Sequence, residues 1–491
     1  MSEPSQREGV RYEDVEDAYF EKRGLKRYAR VWSLWALGVG AVISGDFFGW
    51  NYGLAAGGFG GMLIATGIIT LMYGGLCFSI AEMSPALPHT GGAYSFARTA
   101  MGPWGAYVTG LAENMEYILT PAVIVVAIGS YLGAIFGTAD SMQPLWWLLA
   151  YGLFVGLNIY GVEASFRFTV LITLLALGTL AVFFIGAVPH VSLDAALDIA
   201  PAPGESVWLP SGVSGVLRAL PFAMWFYLAI EELPLAAEEA HDPAKDMPKG
   251  ILYGLLTLVA TAFLTLVLNT AMPPGAAALG TSDEPLFDGF RTIFGDGIGA
   301  RVLALIAVTG LVASFHSIVF AYGRQIYSLS RAGYFPRPLS VTHSTRKTPH
   351  VALIAGAALG YGVALLVHVL GDGSKVGAAL LNMAVFGAVI SYVLQMASYV
   401  LLKLRHGHLE RPYESPFGIA GAVVAALIAA ATLVAMFVVE EAYRYAVIGA
   451  ALWYVAGLLY FALYARHRLV LSPEETFADE QSREREGQQI D

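Results

Sequence analysis

Charge is what this chain has least of. Asp, Glu, Lys and Arg make up 13% of its 491 residues, roughly half the share of an ordinary soluble domain. That deficit argues against a solvated globular fold. Cysteine is nearly absent too: Cys77 stands alone, so an intrachain disulfide is excluded. No polar stretch is long enough for a separate soluble domain. No His-Glu-x-x-His metal motif and no Gly-x-Ser-x-Gly elbow occurs, which weighs against a membrane-embedded hydrolase. We therefore expect no enzyme, no cofactor and no metal. A net charge of −10, carried largely by the two tails, offers nothing to a nucleic acid.

What is present is apolar. Hydrophobic residues reach 56%, and mean hydropathy is +0.61. Hydropathy and breakers predict about twelve membrane helices, at 33–55, 60–83, 104–135, 144–161, 166–188, 214–238, 249–271, 300–328, 350–370, 375–402, 416–438 and 443–465. The expected fold is an all-α integral membrane protein. A tail over 1–32, a core over 33–466 and a second tail over 467–491 are expected. The first 30 residues are too charged for a cleaved leader (Glu13-Asp14-Val15-Glu16-Asp17, then Lys22-Arg23). Placing both termini in the cytoplasm leaves only Arg218, Arg291, Arg301, Lys375 and Arg444 outside, of 28 Lys and Arg in all. That is the usual positive-inside bias, and it predicts a multi-pass protein of the cell (plasma or inner) membrane.

Asp46 breaks the apolar pattern. It lies in the first run, Ile43-Ser44-Gly45-Asp46-Phe47-Phe48-Gly49-Trp50, and no basic residue occurs between Arg30 and Arg98. A carboxylate at membrane depth costs about 2.5–3.5 kcal/mol even on lenient scales, so it needs a partner. With no cation nearby in the chain, a cationic ligand or a proton is the natural candidate. The sixth run carries a comparable interruption, where Trp225-Phe226-Tyr227-Leu228-Ala229-Ile230 leads into Glu231-Glu232-Leu233-Pro234. Broken segments at matching places in two halves point to a transporter site.

Three segments carry a family resemblance. They are Ala81-Glu82-Met83-Ser84-Pro85 through Gly91-Gly92-Ala93-Tyr94 with Arg98, Ala236-Ala237-Glu238-Glu239-Ala240-His241-Asp242-Pro243, and Gly323-Arg324-Gln325-Ile326-Tyr327 through Gly333-Tyr334-Phe335-Pro336. In order and spacing they resemble the amino acid–polyamine–organocation transporters. The run from Ile43 to Leu54 looks like the ethanolamine permeases within that family. The resemblance implies a leucine-transporter-type fold: a 5+5 inverted repeat plus two helices, discontinuous helices 1 and 6, and alternating access around a central site. Relatives usually read Gly-Ser-Gly or similar at 44–46, where unwound backbone N–H groups hold a substrate carboxylate. Here Asp46 replaces the last glycine, which disfavours a carboxylate and favours an ammonium.

By the same resemblance the substrate-binding candidates are Ser44, Gly45, Asp46, Asn114, Tyr117, Trp225 and Glu231, with Trp225 as an aromatic cover. Glu113 and Glu116 share a helix face at i, i+3. With Glu231 and His316 they are candidates for proton transfer or gating. Glu232, Glu238 and Glu239 are expected nearer the cytoplasm, paired with Lys245 or Lys249. Arg324 and Arg331 are expected to pair with acids at an inner gate. Some relatives carry a lysine in the fifth span where Ala176 stands here, so their coupling mode does not transfer. The expected partners are a small amine, membrane lipid and a coupling ion, proton or sodium. The reading is an importer of a small organic amine, ethanolamine first, with an amino acid or polyamine carrier or exchanger as the alternative and an enzyme as a remote one.

Overall fold

The computed structural model describes residues 6–7, 9–16, 18–295, 298–370, 373–407, 409–439, 441–471, 473 and 476. A helix lies under every one of the twelve expected runs. Among the described residues, nine helices are long and apolar enough to cross a membrane. The described strands are two residues each, Gln6–Arg7 paired with Val10–Arg11.

The first span begins as Val31–Val42, continues as the short turn Ser44–Phe47, and stops where Phe48 turns extended and Gly49 takes φ +93°. Only glycine adopts that conformation cheaply. The interruption therefore sits just after Asp46, at Phe48–Gly49, rather than across Ser44-Gly45-Asp46 as expected from the sequence. Helix Tyr52–Ala86 bends at Gly58, so its first turn completes the first span and the rest forms the second. Helix Gly92–Phe136 bends at Gly102, just before Pro103, and its longer part is the third span. The fourth and fifth spans are Gln143–Tyr160 and Val162–Ala187.

The sixth span is broken more deeply. Helix Gly212–Ala223 passes into the turn Met224–Phe226, Ala229 adopts φ +86°, and Ile230–Glu239 runs on as a 3-10 helix. Ten residues of 3-10 helix are unusual, since its hydrogen bonds are poorly aligned. Such backbone survives at membrane depth only when buried in protein or lining a cavity. The remaining spans are Pro243–Thr270, Ile298–Arg331, His350–Leu370, Gly373–Arg405, Gly418–Val439 and Glu441–Leu463.

The first span lies against the fifth, seventh and eighth, and the sixth lies against the second. The third packs on the eighth and tenth, which frame the broken pair. The last two spans sit at the periphery, and Leu427, Val434, Leu452 and Leu459 stand exposed on them. Large apolar side chains in such a ring match a lipid-facing surface.

The described parts of the two tails lie on one face, while most of the expected tail over 467–491 lies outside the described residues. Tyr12 bridges to Leu469 and Ala29 to Ala240. Tyr19 donates its hydroxyl to the Arg331 carbonyl at 2.8 Å, Arg23 donates Nε to Ser340 Oγ at 2.7 Å, and the Tyr327 hydroxyl donates to the Arg23 carbonyl. Arg337 pairs with Glu13 at 2.7 Å. The segment before the first span is thus strapped beneath the end of the eighth.

Candidate functional site

The two broken helices meet at Gly45. A Cβ on that residue would lie 1.8 Å from the Trp225 carbonyl oxygen, so only glycine permits the approach. The Ser44 amide donates to Ser314 Oγ at 2.9 Å, and that hydroxyl donates to the Gly40 carbonyl at 2.8 Å. The eighth span thereby fixes the turn that carries Asp46. Trp225 packs on Phe48 with ring centroids 5.8 Å apart, and its indole Nε1 has no partner. Trp50 stacks on Phe226 at 5.4 Å.

Asp46 is 1% exposed, and its Oδ1 has no hydrogen-bond partner. No ion pair reaches it among the described residues. The Thr261 and Thr265 hydroxyls of the seventh span lie beside it, and Tyr227 lies within electrostatic reach. Tyr227 is itself tied through its hydroxyl to Thr70 at 2.7 Å. Neither threonine stands out in the sequence as the buried acids do. A signal was there: Thr257, Thr261, Thr265 and Asn269 recur every four residues, one polar stripe in an apolar helix.

A second feature is acidic. Glu113, Glu116, Glu231 and Glu232 are each at most 2% exposed. Glu116 lies beside Glu231, with Glu113 and Glu232 close by. Glu113 accepts a hydrogen bond from Gln325 Nε2 at 2.7 Å, but both oxygens of Glu116, Glu231 and Glu232 lack a partner. Tyr117, also without a hydroxyl partner, faces the same acids. Tyr73 and Tyr392, hydrogen-bonded to each other at 3.0 Å, border them. Tyr73 also packs on Tyr227, with ring centroids 5.1 Å apart, so an aromatic contact links the acids to the Asp46 turn. Asn114 donates to the Gly110 carbonyl at 2.7 Å and keeps a free Oδ1. Gln325, Tyr73 and Tyr392 carry no sequence signal that joins them to this set.

The structure corrects the expected partners of the sixth-span acids. Glu232 is buried, and among the described residues it bonds to neither Lys245 nor Lys249. Lys245 pairs with Asp242 at 3.1 Å instead. Glu239 takes two bonds from Arg324, 3.1 Å at Nε and 2.9 Å at Nη2, with both side chains fully buried. Glu238 pairs with Arg331. The reason is geometric. Arg324 and Arg331 are seven residues apart on one helix face, and the 3-10 segment lays Glu238 and Glu239 along it. Glu82, at the end of the second span, meets Lys403 at 2.6 Å and Arg411 at 3.3 Å. These pairs tie the helix ends on the face that carries the termini.

His316 is not brought to either acidic feature. Its ring lies 3.2 Å from Asn158 Nδ2 and 3.1 Å from Ser165 Oγ, between the fourth, fifth and eighth spans. Among the described residues no cluster of His, Cys, Asp or Glu forms a metal site.

Comparison with known proteins agrees with this architecture. The chain is 27% identical over 410 residues to an uncharacterized transporter of Rhizobium meliloti (strain 1021), covering 82% of this chain and 85% of that one. It is 23% identical to the methylthioribose transporter of Bacillus subtilis (strain 168), covering 93% and 97% of the two chains. It is 24% identical to the branched-chain amino acid permease BcaP of the same organism, covering 92% and 96%. These relatives are transporters and permeases rather than enzymes. Residues 34–473, nearly the whole chain, match the amino acid permease family model, and the protein belongs to that family of membrane transporters.

Proposed function

We propose that this protein imports a small organic amine, ethanolamine fitting best, across the cell membrane by alternating access with both termini in the cytoplasm. The observation that carries the reading is the free Asp46 Oδ1, buried at the junction of two broken helices with no cation from the chain. An ammonium supplies the missing charge and a charge-assisted hydrogen bond. A substrate carboxylate at the same point is repelled. Ser44 and Gly45 shape the turn, and Trp225 covers it. A cation over an indole face gains about 0.5–2 kcal/mol.

Glu116 and Glu231, with Glu113 beside them, serve in this reading as the store for a coupling proton. Side-by-side carboxylates with no cation favour sharing protons over carrying full charge. Tyr117 and Asn114 line the route to them. A second reading, an amino acid carrier, draws support from the branched-chain amino acid permease among the relatives. Asp46 stands against it.

Counterflow in proteoliposomes decides between them. Ethanolamine is expected to drive exchange and zwitterionic amino acids are not. Asp46→Gly should abolish exchange while the protein still folds and inserts. Ethanolamine exchange of normal affinity in that variant would refute the counter-ion role. Amino acid exchange by the unaltered protein, in preference to amines, would favour the second reading.

A further inference from the structure

We infer that Thr261 and Thr265 complete the ammonium site and make it a counter of N–H groups, admitting primary amines and rejecting N-methylated ones. The inference rests on Asp46 as counter-ion and adds the chemistry that selects among amines.

Both threonines are at least nine-tenths buried, at 7% and 0% exposure. They stand four residues apart on the seventh span and so share a face. The seventh span packs directly against the Ser44–Phe47 turn, with both hydroxyls beside the Asp46 carboxylate. Thr261 donates its proton to the Leu258 carbonyl at 3.3 Å, so its oxygen offers lone pairs alone to the site. Thr265 Oγ1 makes no hydrogen bond, although helical threonines readily donate to the preceding turn, as Thr169 does here to Ser165 at 2.9 Å. A buried hydroxyl without a partner is destabilising, and an ammonium N–H placed between it and Asp46 would relieve that cost.

Count the donors and acceptors. A primary ammonium has three N–H donors pointing in three directions. Asp46 Oδ1, Thr261 Oγ1 and Thr265 Oγ1 give three acceptors on two elements, one charged and two neutral. Sites for quaternary ammonium groups are instead walled by aromatic faces, which need no N–H. Replacing an N–H with a methyl leaves a buried oxygen unmet and adds volume where the two helices already touch.

The test is competition for ethanolamine counterflow by ethanolamine, its N-methyl and N,N-dimethyl derivatives, and choline. The unaltered protein should lose affinity stepwise, about tenfold or more for each N–H removed. Thr265→Val should weaken ethanolamine by a similar factor and flatten the ladder, while Thr265→Ser should restore it. Thr261→Val should flatten the ladder likewise. A ladder of unchanged steepness in both valine variants, with ethanolamine exchange intact, overturns this inference and leaves the counter-ion reading standing. Choline competing as well as ethanolamine with the unaltered protein also overturns it. Failure of every amine to compete overturns the counter-ion reading as well. Should a valine variant fail to insert, Thr265→Cys, which keeps the volume but replaces the hydroxyl with a poor acceptor, takes its place, and a ladder of unchanged steepness in it overturns the inference equally.

Discussion

The buried pair of Arg324 and Glu239 makes a sharp test of what holds the termini face closed. Both side chains are fully buried, two hydrogen bonds join them, and the guanidinium also sits 3.5 Å from the Phe320 ring centroid. Arg324 Nη1 already lacks a partner, so Glu239 is its main compensation. Glu239→Gln keeps the volume but leaves a cation buried without its anion, which costs about 3–5 kcal/mol. At 1.4 kcal/mol per factor of ten, that is roughly a 150- to 4,000-fold shift toward any state in which the arginine meets water. Opening of this face is such a state, and so is unfolding. The single variant should therefore unfold at clearly lower temperature in detergent and let reagents reach the eighth span from the termini side. The pair Glu239→Gln with Arg324→Met removes the orphaned charge along with its partner. It should recover most of the stability, because a well-packed apolar replacement of a buried ion pair is often near neutral. If the double variant loses as much as the two single variants added together, the two residues act independently and the argument fails.

Gly45→Ala should cripple uptake and lower the unfolding temperature. Its methyl would press on the Trp225 carbonyl and drive the broken helices apart, at about 1–3 kcal/mol. Gly67→Ala, in open space on the second span, should be neutral or stabilising by about 0.5–1 kcal/mol, and equal behaviour of the two would refute the close-approach argument. Glu116→Gln imitates a carboxyl that never gives up its proton. Uptake driven by a pH gradient should fall away while amine counterflow persists, and gradient-driven uptake at the normal rate would remove Glu116 from proton transfer.

Much of this was legible in the sequence because membrane helices are written in long apolar runs, and the twelve runs all proved helical. Asp46, Glu113, Glu116 and Glu231 stood out for the same reason, as acids where lipid allows few. The site of the first break was less legible. Gly45 and Gly49 look alike in sequence, yet Gly45 serves a close approach and Gly49 a left-handed backbone, and only packing separates the two roles. Glu238 and Glu239 pair with Arg331 and Arg324 rather than with the lysines the sequence suggests, because a run of 3-10 helix rotates and spaces side chains differently from an α-helix. Thr261 and Thr265 escaped notice because threonine is unremarkable in an apolar helix until a carboxylate is found facing it.

The strap beneath the eighth span has a practical corollary. Tyr19, Arg23 and Glu13 hold residues of the span that carries Arg324 and Arg331, or of the loop just beyond it, and Tyr12 runs beside Leu469. Any outward swing of that helix end has to drag or shed both tails. A donor dye near one tail and an acceptor on a neighbouring helix end would thus register each turnover from outside the pathway. By the same mechanics, a protein or modification that grips the tails can slow the cycle without ever meeting the substrate.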